Sequence, residues 1–193
     1  MMKFARWMIC LALAAGAMVA HAIEVAGIAV PDTTKLGGAD LVLNGAGIRT
    51  RAVFKVYVGA LYVAEKKSQA AEVIAQRGPK RIALHLLRDL SAEQLGGALN
   101  DGLAANLSEA EVNKFKTQIE ELKATMDAVG AAREKSVVTL DYLPDTGIRI
   151  AIDGIARGKP IASEDFYRAL MKIWLGDKPV DRSLKAAMLG QPS

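Results

Sequence analysis

A chain of 193 residues, 51% of them hydrophobic, can bury a sizeable core within one domain. Its formal charge of +4 falls to about +2 once Lys3 and Arg6 are set aside with an N-terminal leader, too small an excess to suggest a nucleic-acid surface. The single cysteine, Cys10, lies in that leader, so the remainder has no means of forming disulfides, thiolate metal sites or a cysteine nucleophile.

Met1 to Ala22 reads as a secretory signal. Lys3 and Arg6 supply the positive start, Trp7 to Val19 is almost wholly apolar, and Ala20-His21-Ala22 offers the small-x-small pattern of a cleavage site. The apolar run is shorter than the roughly 20 residues needed to cross a bilayer. A mature domain over residues 23–193 is therefore expected, periplasmic or secreted, spanning no membrane and carrying no lipid anchor.

Along that domain, Ile23 to Val30 predicts a strand stopped by Pro31-Asp32, and Asp40 onward a second, short strand entering a turn at Asn44 to Gly47. Val53 to Val63 is β-rich and apolar on both faces. Ser68 to Gln76 predicts a short helix ended by Gly78-Pro79, and Arg81 to Leu87 another strand. Ser91 with Gln94, and Ser108 with Glu111, are capping boxes opening helices to about Asn106 and Val129. The second of these places Val112, Phe115, Ile119, Leu122 and Met126 on one stripe. Ser136 to Tyr142 and Gly147 to Ile152 flank a hairpin signal, and a short strand near Ile155 to Arg157 follows. Ser163 caps a helix burying Phe166, Leu170, Ile173 and Trp174, with Gly176 past its end, and Asp181 to Leu189 predicts a last helix. The class is α+β, a mostly antiparallel sheet covered on one side by helices.

Much chemistry has no foundation here. His85 is the one histidine after the leader and sits mid-strand, without the spacing of a metal site. There is no GxSxG, GxxxxGK[ST] or strand-linked GxGxxG, so neither serine hydrolysis nor nucleotide binding is supported, and no cofactor is expected.

LVLNGAGIR followed by FKVYVGALYVAE, the hairpin LDYLPDTG with DGIARG after it, and the ending EDFYRALMKIWLGDKPVDRSLKAAMLG resemble the chalcone isomerase-like family in its secreted bacterial branch, from about Asp40 to Gly190. The resemblance implies an open-faced β-sandwich, a long antiparallel sheet backed by a layer of helices with a ligand cleft between them. The family holds ring-closing isomerases and non-catalytic fatty-acid binders. In both, an arginine after the glycine segment faces the cleft and meets an anionic group. By position this is Arg49, and the hydroxyl residue of the next strand aligns with Tyr57.

Physical reasoning on these residues agrees. An arginine on an apolar sheet face is costly to bury unless its planar fork meets an acceptor, and a carboxylate is the best match. A tyrosine hydroxyl can donate a further bond, while aliphatic neighbours hold a hydrocarbon chain at about 0.8 kcal/mol per buried methylene. Eight residues of straight strand span about 26 Å, so Arg49 and Tyr57 share a ligand only if the chain reverses near Thr50 to Val53. Without that bend, Arg51 or Tyr62 takes the partner's place.

The isomerases' tyrosine and asparagine have no clear counterpart. The matching stretch, DLSAEQLGGALND, lacks tyrosine, and the asparagine position falls on Leu99 or Asn100. Three expectations follow: a non-catalytic binder of a fatty acid or similar lipophilic carboxylate, an isomerase of chalcone isomerase type with unknown substrate, or a protein-interaction module using the charged face of Glu109 to Val129.

Overall fold

Residues 21–191 are described by a computed structural model. The expected leader therefore lies, except for His21 and Ala22, outside the described residues, as does Cys10. The chain pairs from Ala22 onward: β1 (Ala22–Val25) and β2 (Ile28–Pro31) form an antiparallel hairpin. This corrects the single strand expected over Ile23 to Val30. Ala26 and Gly27 take φ of 52° and 77°, the left-handed pair that matches hairpin twist, and an alanine there gives no turn signal in sequence.

The main sheet has seven strands in chain order, β3 (Thr33–Leu36), β4 (Ala39–Arg51), β5 (Phe54–Val63), β6 (Lys80–Leu86), β7 (Val137–Leu143), β8 (Gly147–Ile152) and β9 (Ile155–Ile161). Every neighbouring pair is antiparallel. The last strand runs four residues beyond its expected end and carries Pro160, which an edge position tolerates.

Asn44 to Gly47 is the second correction. The stretch is not a turn but the interior of β4, which runs unbroken to Arg51. Its glycines serve close approach: a Cβ on Gly45 would overlap the carbonyl oxygen of Ala187, and one on Gly47 the Ala187 side chain. Asn44 stands opposite no residue of β5, an irregularity that turns its side chain toward the helices. There its amide donates to Met188 O at 2.7 Å and Lys67 O at 3.0 Å, and accepts from Lys67 N at 2.8 Å. These bonds seat α6 (Arg182–Met188) on β4.

The helical layer comprises α1 (Ala70–Ala75), α2 (Ala92–Asn106), α3 (Glu109–Lys114), α4 (Lys116–Val129), α5 (Glu164–Leu175) and α6. Both expected capping boxes are present. The single helix expected up to Val129 is broken in two, because Phe115 leaves helical geometry at φ −101°, ψ 14° and its ring packs 5.5 Å from that of Phe166. Val112, upstream of the break, is left exposed. Between helices and sheet lies the larger core, centred on Trp174, Tyr167, Phe166, Leu61 and Ile82. A smaller cluster, with Leu41, Leu43, Val58 and Tyr62, occupies the other face under the β1–β2 hairpin.

Candidate functional site

The site begins at the tip of the β4–β5 hairpin. Arg51 pairs with Phe54 around a two-residue turn, Ala52-Val53, in which Ala52 adopts φ 55°. The reversal that Arg49 and Tyr57 require thus falls within Thr50 to Val53. Two pairs inward, the register slips: Thr50 opposes Lys55, Arg49 opposes Tyr57, and Val56 is the extra residue of a β-bulge. Its carbonyl accepts from Leu87 N at 3.0 Å, so the bulge leaves no orphan there.

The bulge decides which side chains face the helices. With strict alternation Val56 and Tyr57 would point to opposite faces, but both line one cavity, together with Phe54. Arg49 joins them from β4, its Cζ 5.5 Å from the centroid of the Tyr57 ring, within cation–π range. Tyr57 is only 3% exposed, and its hydroxyl accepts from Trp174 Nε1 at 2.9 Å. Burial pushes its phenol up, against the pull of the Arg49 charge. Tyr57 therefore stays protonated at neutral pH, and with Trp174 occupying one lone pair its own proton is free to donate.

Arg49 completes the polar end. It is partly buried, and its Nε is buried without a hydrogen-bond partner. Such an unmet donor carries a desolvation cost of about 1–3 kcal/mol. The cavity behind it measures about 260 Å³, just below the usual range of about 300–1,000 Å³ for ligand pockets. Its walls are aliphatic: Leu84, Val138, Leu140 and Ile150 from the sheet, Leu95, Leu99, Met126 and Ile173 from the helices. The polar lining gathers around the hairpin as Arg49, Arg51, Tyr57, Arg88 and Gln94. Donors at one end and hydrocarbon at the other suit a ligand with an anionic head and an apolar tail.

Of the four residues singled out from sequence, Arg49, Tyr57 and Arg51 meet at this cavity, Arg51 at its exposed rim. Tyr62 does not. Five positions beyond Tyr57 on a regular strand, it lies on the opposite face, where its hydroxyl donates to Pro31 O at 2.9 Å and burial holds its phenol up at about 12. Trp174, Arg88 and Gln94 were not singled out. The Trp174 partnership spans 117 residues and has no local signature, but Arg88, two residues past a strand that pairs with β5, was within reach of register reasoning.

On α2, Leu99 lines the cavity, while Asn100 is exposed and contributes nothing to its wall. His85 is half-buried on β6, and burial lowers its pKa. Among the described residues no group of three histidine, cysteine or carboxylate side chains is placed to hold a metal ion. Likewise none of the described helices is long and apolar enough to cross a membrane.

No curated protein matches the chain significantly in sequence. In structure it resembles a fatty-acid binding protein of Arabidopsis thaliana, with a TM-score of 0.66 and 15% identity over 84% of this chain and 92% of the other. That likeness confirms the curled antiparallel sheet backed by helices. A family model described as chalcone isomerase-like matches residues 22–190, and the chain belongs to that family.

Proposed function

We infer that the protein is a non-catalytic binder of a fatty acid or similar lipophilic carboxylate, acting after export in the periplasm as a member of the family's secreted bacterial branch. The observation that carries this reading is the unpartnered Nε of Arg49 beside the Tyr57 hydroxyl at the head of an apolar cavity. A carboxylate placed there would accept from both groups, and charge-assisted bonds of this kind are about twice as strong as neutral ones. The hydrocarbon tail would lie along Leu84, Leu95, Leu140 and Ile150. With about 260 Å³ available, a short or medium acyl chain fits better than a long one unless the walls part.

The fatty-acid binding neighbour is consistent with this ligand class. Ring closure draws no support from α2, which presents Gln94, Leu95, Ala98 and Leu99 to the cavity and neither tyrosine nor asparagine. Native mass spectrometry of the purified protein, followed by solvent extraction, tests the reading. A co-purifying or added fatty acid should be retained by the wild type and a Lys116→Ala control and lost in Arg49→Ala. A wild type that retains no carboxylate of any chain length overturns it, and turnover of a chalcone above the spontaneous rate would replace it with an isomerase.

A further inference from the structure

We propose that the β4–β5 hairpin tip is a docking element for an anionic lipid surface, setting the mouth of the cavity against the bilayer. Among the described residues few large hydrophobic side chains are exposed, and two of them are neighbours here: Val53 at 83% and Phe54 at 59%. Isolated apolar residues on a surface are ordinary, but adjacent ones on a protruding turn form a wedge suited to an interface. Ala52 extends the exposed stretch.

The charges around this wedge select the occupant. From Ile48 to Val58 the hairpin carries Arg49, Arg51 and Lys55 and no acidic residue. Arg88 adds a further cation from two residues past β6, its guanidinium 5.4 Å from the centroid of the Phe54 ring. Glu93 and Asp101 lie along the neighbouring outer groove on α2, and the Asp181 carboxylate, bonded to the hairpin, accepts from Thr50 N at 2.9 Å while capping α6, so the cations still outnumber the acids around the turn. An apolar tip ringed by cations matches a layer of phosphate-bearing lipid headgroups over acyl chains, where the tip enters the chains and the ring meets the phosphates.

Continuity with the cavity gives the contact a purpose. Arg51, Ala52 and Phe54 belong both to the exposed tip and to the cavity lining, so the opening lies beside the docked surface. A carboxylate leaving a bilayer would pass Arg51 and reach Arg49 without crossing bulk water. Ligand transfer rests on the fatty-acid-binding reading above, whereas docking itself does not.

Co-sedimentation of the purified protein with phosphatidylglycerol vesicles tests the docking step. Binding should be strong in low salt, weaken in high salt and be near background on phosphatidylcholine vesicles. Val53→Asp, at a position outside the cavity lining, should lower vesicle affinity about tenfold or more, and Lys55→Ala about fivefold. Lys116→Ala, on the distant face of α4, should leave it unchanged. Fatty-acid retention measured on the same Val53→Asp protein should stay at the wild-type level, and Arg49→Ala, which removes the partly buried cation of the set, should lose retention while lowering vesicle affinity no more than Lys55→Ala does. Equal sedimentation of wild type and Val53→Asp overturns the proposal. So does a wild type left in the supernatant with phosphatidylglycerol, which would point instead to an acidic protein as the partner of this tip.

Discussion

Arg49 and Tyr57 face one another across the β4–β5 ladder, the guanidinium carbon 5.5 Å from the ring centroid, and they are in register only because Val56 is extruded as a bulge. Neither has its full hydrogen-bonding capacity met by the protein. The Arg49 Nε has no partner, and the Tyr57 hydroxyl accepts from Trp174 while its proton remains to be given. The proposed site, kept short of acceptors, is expected to trade stability for affinity.

That trade is measurable at Arg49. Arg49→Met keeps the aliphatic length and removes the orphaned donor together with the cation–π contact to Tyr57, opposing effects that should leave unliganded stability within about 1 kcal/mol of wild type in urea denaturation. Fatty-acid affinity should fall at least tenfold in the same preparation. A loss of stability matching the loss of binding would mean that the guanidinium has a structural partner.

Tyr57→Phe should behave differently. It strands the buried Trp174 N–H, so a cost of about 1–2 kcal/mol is expected, together with a loss of ligand affinity of about fivefold. Trp174→Phe leaves the Tyr57 hydroxyl in place and should spare more of the binding. Calorimetric titration of both variants with one fatty acid separates the two roles.

Gly45→Ala tests whether the glycines of β4 exist for the last helix. The added methyl would meet the carbonyl oxygen of Ala187 and the backbone around Met188 and Gly190, so α6 must shift. A destabilisation of about 2–3 kcal/mol is expected. Asn44→Ala should cost a similar amount, since it leaves Met188 O, Lys67 O and Lys67 N without their side-chain partner. If either variant has wild-type stability by thermal melting, the helix is not held this way.

Lys80 supplies a pH dependence. The residue is fully buried, its Nζ has no hydrogen-bond partner and lies 5.7 Å from the Tyr142 centroid, and burial draws its pKa down to about 8, only partly opposed by the charge of Glu164. The unfolded value is near 10.4. Below about pH 8 both states hold the proton and the native state bears the cost of a buried charge. Between about pH 8 and 10 the unfolded chain binds more protons than the native one, so stability rises with pH. Lys80→Met should gain about 1–3 kcal/mol at pH 7 and flatten that rise. Denaturation curves at intervals from pH 7 to 10 test this, and a flat wild-type profile would show that the ammonium is solvated.

What could be read in advance was whatever local chemistry decides. Ser91 with Gln94 and Ser108 with Glu111 satisfy helix ends by their own side chains, so those starts were legible to the residue. The stripe of Phe166, Leu170, Ile173 and Trp174 likewise announced the buried face of α5. Glycine was ambiguous because it serves both turns and close approach, and at Asn44 to Gly47 the close approach of Ala187, some 140 positions away, was decisive. At Ala26 the opposite error arose, a left-handed turn residue without the usual mark. Arg49 and Tyr57 could be nominated because a guanidinium and a phenol on an apolar strand demand an explanation. The bulge at Val56, the Trp174 bond and the collar residue Arg88 are products of register and tertiary packing, which no single segment encodes.

The Tyr57–Trp174 bond closes over 117 positions and the Asn44–Met188 clasp over 144. The seven strands can zip together in the order in which they emerge, each onto its predecessor, but both of these closures wait for the C-terminal helices. A nascent chain short of α5 and α6 could assemble its sheet and still have no chamber, because one wall and the brace beneath Arg49 arrive last. On the proposed function, competence to bind would therefore require both C-terminal helices to have docked.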